Sequence, residues 1–467
     1  MQRPRRAWPF ILAAVSLVFA ACSGSATSAP SSAASAASQG ASAAPAASAA
    51  SAAPAASAAA AAPVHLTMWQ QWGGGHEEDA LKKIISDYEA LHPNVTIDEV
   101  PVTDNSKILT AISGGNPPDI VDLVSSLPLG EWASKGALMP LDSLISQSGI
   151  DTSVYVPAAL QAMTVSGKVY GLPFMDFNVG LVYNKALFTQ AGIDPSSPPK
   201  TIEELTADAY KLTKQDANGR ITQLGFLPEY PGTSNGQVCT VEDAGWLFGG
   251  GWYDGTTNKV TANLPQNVAA LAWEAGFYQK YGAQNIANFL QSAGAYLTAQ
   301  DLLESGKLAM VYDGPWSIAF AQANVPDLAK NLAAAPFPAP AAMPQLTGTS
   351  FIDSNPQVIP QGAKNPAAAF DFIRYETTDP QVTATFAQLI QNLPQLQQTP
   401  PFALANDPNF QVFVKEANSS NAHVWPQLPF STEYGVKLCE AQQATLYGKS
   451  TPQQALDNLQ TQMAAAQ

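Results

Sequence analysis

The sequence predicts an α/β fold built as two lobes behind an exported leader. Strand-like segments alternate with segments of helical period, the pattern of a largely parallel sheet covered by helices. The stretch from Val64 to Gln467 has a globular composition, and its length suits two lobes better than one core. The residues between the leader and Pro63 have almost no large apolar side chains, so they stand outside the fold.

The leader is read first. Arg3, Arg5 and Arg6 precede an apolar run from Trp8 to Ala21, which Cys22 follows. A basic start, a short apolar core and small residues before a cleavage point make a secretory signal of residues 1–21. The core is too short to span a bilayer stably. Phe19-Ala20-Ala21-Cys22 resembles a bacterial lipobox, with Phe19 where that pattern prefers Leu. In that reading Cys22 becomes the acylated first residue of the mature chain; the alternative is an ordinary signal with an incidental cysteine. Residues 22–63 are nearly all Ala, Ser, Pro and Gly and cannot offset the entropy of ordering. They read as a flexible tether reaching on the order of 35 Å. No later segment is apolar and long enough to cross a bilayer, so the lipid would be the only membrane anchor.

The globular elements follow in order. Val64-His65-Leu66-Thr67-Met68-Trp69 alternates as a strand, and Gln71-Trp72-Gly73-Gly74-Gly75 is a glycine-rich loop. A helix is expected over about 77–91, with Leu81, Ile84, Ile85, Tyr88 and Leu91 on one face, and Pro93 forbids its continuation. Val95-Thr96-Ile97 begins a second strand, and Asp119 to Val124 forms a third. The same grammar returns after Tyr183, with helices expected over about 202–215 and 268–281. Asp216-Ala217-Asn218-Gly219 has the start of a calcium loop without its remaining ligands and reads as a hairpin turn.

Charge and motifs narrow the function. Acidic residues outnumber basic ones by 37 to 22, and removing the signal arginines widens that excess. Such a surface argues against nucleic acid and against an anionic ligand. The glycine loop lacks both the dinucleotide fingerprint and the phosphate-loop lysine. His65, His76, His92 and His423 are scattered without zinc-ligand spacing, so no metal or other cofactor is expected. No serine sits in a nucleophile elbow, and the adjacent pairs Glu203-Glu204 and Glu242-Asp243 point in different directions, so no catalytic residue is assigned.

Several stretches together resemble the extracellular solute-binding proteins of ABC importers, in the sugar-binding branch that includes maltose-binding protein. They are Asn116-Pro117-Pro118-Asp119-Ile120-Val121, Gly136-Ala137-Leu138-Met139-Pro140-Leu141, Tyr170-Gly171-Leu172-Pro173 and Gly180-Leu181-Val182-Tyr183-Asn184-Lys185. Pro199-Lys200-Thr201-Ile202-Glu203-Glu204-Leu205, Gly306-Lys307-Leu308-Ala309-Met310 and Asp313-Gly314-Pro315-Trp316 complete the series. Their order over nearly all of Val64 to Gln467 carries the resemblance. It implies the periplasmic-binding-protein-like fold, two α/β lobes with a ligand cleft between them and three hinge crossings. Lobe one would be residues 64–176 and 352–405, and lobe two residues 178–350 and 406–467. The crossings would fall near 176–180, 347–353 and 405–409.

The resemblance also implies a pocket. Sugars expose an apolar face and a ring of hydroxyls, which aromatic rings, carboxylates and amides satisfy. The matching positions are Gln71, Trp72, Asp122, Ser125, Ser126, Phe177, Glu229, Tyr230, Asp313, Trp316 and Tyr434. Val124-Ser125-Ser126 stands where some relatives have a carboxylate, which leaves the sugar open. Trp69 reads as core, Trp72 and Trp316 as cleft, and Glu229, Trp246 and Trp252 are open between the two. The same alignment puts Cys239 and Cys439 in one lobe, where an exported chain could bridge them. The implied protein is a monomer that binds a sugar and delivers it to the transmembrane permease subunits. The alternatives are an exported carbohydrate-active enzyme, which needs two facing carboxylates, and a binder of a polyamine or polyol.

Overall fold

The computed structural model describes residues 62–72, 76–229 and 239–467. The signal peptide, Cys22, most of the tether, the three loop glycines and Tyr230 lie outside the described residues.

The first lobe is organised by a seven-stranded sheet. Val64–Gln70 sits between Val95–Pro101 and Ile120–Asp122, parallel to both. The sheet continues through Ser350–Val358, Gly171–Asn178 and Leu393–Pro394, which follow one another antiparallel, and the seventh strand, Ala422–His423, pairs in parallel with the start of Ser350–Val358. Leu66 and Met68 are fully buried and His65 is exposed, as the alternation requires. The helix His76–Leu91 lays Leu81, Ile84, Ile85 and Tyr88 on this sheet. Leu91, expected on the same face, is instead 66% exposed, because it sits in the last turn just before the chain breaks at Pro93.

The second lobe holds a five-stranded sheet ordered Leu332–Ala335, Gly180–Asn184, Leu308–Asp313, Ile221–Phe226 and Lys214–Gln215. The helix Ile202–Leu212 starts where the Thr201 hydroxyl accepts from the Glu204 amide. It ends three residues earlier than expected. Lys214–Gln215 pairs with Ile221–Phe226 instead, and the hairpin turn is the one read at Asp216–Gly219. There Asp216 Oδ1 accepts from the Asn218 and Arg220 amides, and Gly219 takes φ +76°. Gly225 is held so close to the helix that a Cβ would lie 2.0 Å from the Ala209 carbonyl oxygen.

The two sheets are joined by extended chain. Gly171–Asn178 passes through Val179 directly into Gly180–Asn184. Ser350–Val358 runs antiparallel beside it, with Ile352 opposite Asn178 and Asp353 opposite Phe177. The chain crosses a third time around the short turn Ala403–Asn406, before the helix Phe410–Ala417 packs across the junction. Its Phe413 carbonyl accepts from Asn178 Nδ2 at 3.1 Å. The C-terminal helices Ser431–Leu446 and Pro452–Ala464 pack on the helix Pro265–Tyr281 of the second lobe.

Cys239 and Cys439 stand side by side in the second lobe, where the resemblance places them. Both residues are free thiols in the core cluster around Trp252 and Tyr434. Burial pushes the Cys239 thiol well up, and the neighbouring Cys439 pushes it further. A thiol held protonated is a poor nucleophile and is slow to oxidise.

Candidate functional site

In an α/β sheet ligands collect beyond the carboxyl ends of the strands, where chain directions diverge. Two such ends meet here. Trp72 follows the strand Val64–Gln70 of the first sheet, and Trp316 follows the strand Leu308–Asp313 of the second. Both line one cavity of about 210 Å³ between the lobes, together with Phe177, Phe320, Asn355 and Asn392. Both indoles are half-buried.

Trp72 is fixed on two sides. Its Nε1 donates to Asp122 Oδ2 at 2.7 Å, and its ring meets Phe386 edge-on at 6.2 Å. Asp122 is fully buried, and burial raises its carboxyl to about 7 against the pull of the Trp72 hydrogen bond. Its other oxygen, Oδ1, has no partner.

Trp316 has a parallel arrangement. Its Nε1 donates to the Tyr296 hydroxyl at 2.7 Å, and that hydroxyl donates to Asp313 Oδ1 at 2.7 Å. The ring meets Phe177 edge-on at 5.9 Å. Asp313 is fully buried, its carboxyl is raised to about 7 chiefly by that burial, and its Oδ2 has no partner. The run Asp313-Gly314-Pro315-Trp316 is a helix start, with Pro315 in the first turn of Pro315–Asn324. The ring folds back over its own backbone. A Cβ on Gly314 would lie 2.0 Å from the indole, so only glycine leaves room for this rotamer.

Behind the cavity lies a buried polar network on the strands that join the lobes. Ser125 Oγ donates to Asp353 Oδ2 at 2.6 Å, and the Ser126 amide and hydroxyl donate to Asp353 Oδ1 at 3.0 and 2.5 Å. The Ser354 hydroxyl donates to Asp176 on the neighbouring strand. Asn355 lines the cavity, gives its Nδ2 to the Val124 carbonyl at 2.8 Å, and keeps an unpartnered Oδ1.

The other expected positions divide. Gln71 holds the rim, donating to Asn105 Oδ1 at 2.6 Å and accepting from the Val124 amide. Ser125 and Ser126 are spent on Asp353 and do not line the cavity. Glu229 accepts from Gln443 of the helix Ser431–Leu446, away from the cavity. Tyr434 is fully buried in the second lobe, with its hydroxyl donating to the Trp252 carbonyl at 2.7 Å; it is a core residue here. Trp252 is core as well. Trp69 packs half-buried against the cluster around Trp132. Trp246 stacks on His423 at 5.0 Å and lines a separate cavity with Trp425 and Gln427. Sequence reading missed Tyr296, Phe320, Asn355 and Asn392, none of which stands in a recognisable motif. Among the described residues no cluster of side chains has a metal-holding arrangement.

Comparison with known proteins gives a consistent set of likenesses. The family model described as bacterial extracellular solute-binding protein matches residues 74–383. A maltotriose-binding protein of Pyrococcus abyssi is 24% identical over 351 residues, which are 72% of this chain and 66% of that one. An ABC transporter extracellular-binding protein of Pyrococcus horikoshii, PH1214, is 25% identical over 372 residues, 78% of either chain. The solved structure of CpMnBP1 with mannotriose bound has a TM-score of 0.75 at 35% identity and covers 85% of this chain and 99% of its own.

Proposed function

This chain belongs to the bacterial extracellular solute-binding proteins, and from that premise we propose that it captures a neutral sugar or oligosaccharide between its lobes and presents it to the permease of an ABC importer. The observation that carries this is the pair Trp72 and Trp316. Each follows the end of a strand in a different lobe, and both face one cavity. Apolar faces of a pyranose suit the rings, and hydroxyls suit the polar side chains that line the same cavity, Glu77 and Asn392 among them. Lobe closure then follows from differential affinity, because a ring held by both walls favours the closed form.

The family consists of binding proteins, and Glu77 is the one acidic side chain among the described residues lining the cavity, without the second, facing carboxylate that glycoside hydrolysis needs. No turnover of oligosaccharides is therefore expected. Among the described residues no helix is long and apolar enough to cross a membrane. The lipid on Cys22, with the tether behind it, would hold a monomeric protein at the outer face of the membrane. Mass spectrometry of the mature N-terminus checks this, and a mature chain that begins at an unmodified residue speaks against it.

The sugar reading is tested by thermal unfolding against mannotriose, maltotriose, galactooligosaccharides, a sugar phosphate and spermidine. A ligand at a hundred times its Kd stabilises by about 2.7 kcal/mol. A shift with a neutral sugar is expected; a shift with spermidine or the phosphate alone overturns the reading.

A further inference from the structure

The two cleft tryptophans share a device. Each indole N–H ends on a fully buried carboxylate, directly in Trp72–Asp122 and through the Tyr296 hydroxyl in Trp316–Asp313. Each carboxylate has one oxygen in that bond or relay, while its second oxygen has no partner. Neither carboxylate is exposed to the cavity. We propose that Asp122 and Asp313 are positioning residues: they do not touch the sugar but set the planes of the two stacking rings, and their ionisation adjusts how firmly those rings are held. This rests on the sugar-binding reading of the cleft, and its test has an arm that does not.

A ring presented to a sugar must be fixed before the ligand arrives, or its ordering is charged against affinity. Trp72 is fixed by Phe386 and Asp122, and Trp316 by Phe177, Gly314 and the Tyr296 relay. The hydrogen bond is stronger when the acceptor is ionised. The charged groups bearing on Asp122 are Glu99 and Glu376, and those bearing on Asp313 are Asp301 and Glu304. All are acidic, so none stabilises the carboxylate charge. With burial, they hold both groups near neutral midpoints, about 7. Raising the pH through that range charges both anchors and firms both rings.

The first measurement needs no ligand. The indole ¹⁵N–¹H resonances of Trp72 and Trp316, assigned through single Trp→Phe variants, are followed from pH 5.5 to 8.5. Both are expected to move with a midpoint near 7. Tyr296→Phe is expected to shift the Trp316 resonance and leave that of Trp72 in place. The second measurement is titration with mannotriose. Wild-type affinity rises with pH. Asp313→Asn keeps an acceptor for Tyr296, so it holds the acidic-limit affinity and its contribution to the pH profile is flat. Tyr296→Phe weakens binding about tenfold, the scale of one charge-assisted hydrogen bond. A carboxylate that contacted the sugar itself would be freed by Tyr296→Phe, and binding would hold or tighten; that result overturns the proposal. So do indole resonances that ignore pH and Tyr296→Phe. If wild type ignores mannotriose, the sugar reading loses its probe, and the ligand-free resonances still decide the role of the carboxylates.

Discussion

At the scale of single residues, the cleft concentrates its binding energy in two rings. Trp316 and Trp72 are half-buried and line the same cavity from opposite lobes. Replacing a stacking Trp by Ala removes apolar area that only the ligand covers. Trp316→Ala should therefore weaken sugar binding by about 2–4 kcal/mol, roughly thirty- to a thousandfold. The thermal midpoint without ligand should move far less, because the ring borders the core rather than filling it. Calorimetric titration paired with ligand-free unfolding decides the matter. If Trp316→Ala unfolds the protein while its folded fraction binds normally, the residue belongs to the core. The two tryptophans were legible because Trp72 stands before glycines at a strand end and Trp316 follows a Gly-Pro turn, where little local core is available. Tyr296 was not legible. It lies in an irregular stretch, and its hydroxyl matters only because the fold brings Asp313 and Trp316 to either side of it. Tyr434 misled for the opposite reason. Its place in the family pattern carries no information about depth, and here its hydroxyl is satisfied inside the lobe.

At the scale of elements, period and punctuation carried far and close packing did not. The alternation of Val64–Gln70 and the apolar face of His76–Leu91 follow from residue spacing alone. The early end of the helix Ile202–Leu212 does not. Lys214 and Gln215 are compatible with a helix, and the pairing of Lys214 with Gln223 across the sheet takes them instead. Gly225 marks the same contact from the other side. It sits on the strand Ile221–Phe226 with its Cα against the backbone of Ala209, and an added Cβ would meet the Ala209 oxygen, carbonyl carbon and Cα at 2.0, 2.5 and 2.5 Å. Backbone cannot yield as a flexible side chain can, so the helix must lift from the sheet. Gly225→Ala should destabilise the protein by about 3 kcal/mol, at the upper end of ordinary overpacking. Chemical denaturation measures this. A loss below about 0.5 kcal/mol, the size of an ordinary surface change, would mean the helix is free to move outward. Gly219→Ala, at φ +76° in an exposed turn with nothing close by, isolates the separate cost of backbone conformation.

At the scale of the whole molecule, the two-lobed plan was legible because the order of motifs spans the chain, whereas the electrostatics of its interior was not. A sequence shows an acidic excess but not where the acids lie. Among the described residues twelve are buried, nine of them being Asp122, Asp176, Glu242, Asp243, Glu274, Asp313, Asp353, Glu376 and Glu416. The ion pairs among the described residues, such as Lys83–Asp87 and Lys330–Asp327, involve other acids. Burial raises every one of the nine, Asp122, Asp243 and Asp313 to about 7, and Asp176 and Glu274 to about 8. The consequence has a definite sign. Between about pH 4 and 8 the unfolded chain has released protons that the folded chain still holds, so the unfolded state binds fewer, and stability falls as pH rises. The exposed acids Asp151, Asp194, Asp216, Asp254 and Asp327 have lowered pKa values and act the other way, but they titrate below pH 4. The formal charge of −15 at pH 7 adds self-repulsion in the same direction as the buried groups. Thermal unfolding of the ligand-free protein should therefore give its highest midpoint near pH 4 to 5 and a steady decline to pH 8. Asp243 and Glu274, in the second lobe away from the cleft walls, separate this effect from binding. Replacing Glu274 by Gln, which keeps a neighbour for the Gln442 amide, should flatten part of the decline without changing sugar affinity. A midpoint that climbs from pH 5 to 8 would mean that the buried acids are ionised and stabilised by water within the fold. Stability and binding then respond to pH in opposite directions, since the same protons that settle the interior loosen the two cleft tryptophans.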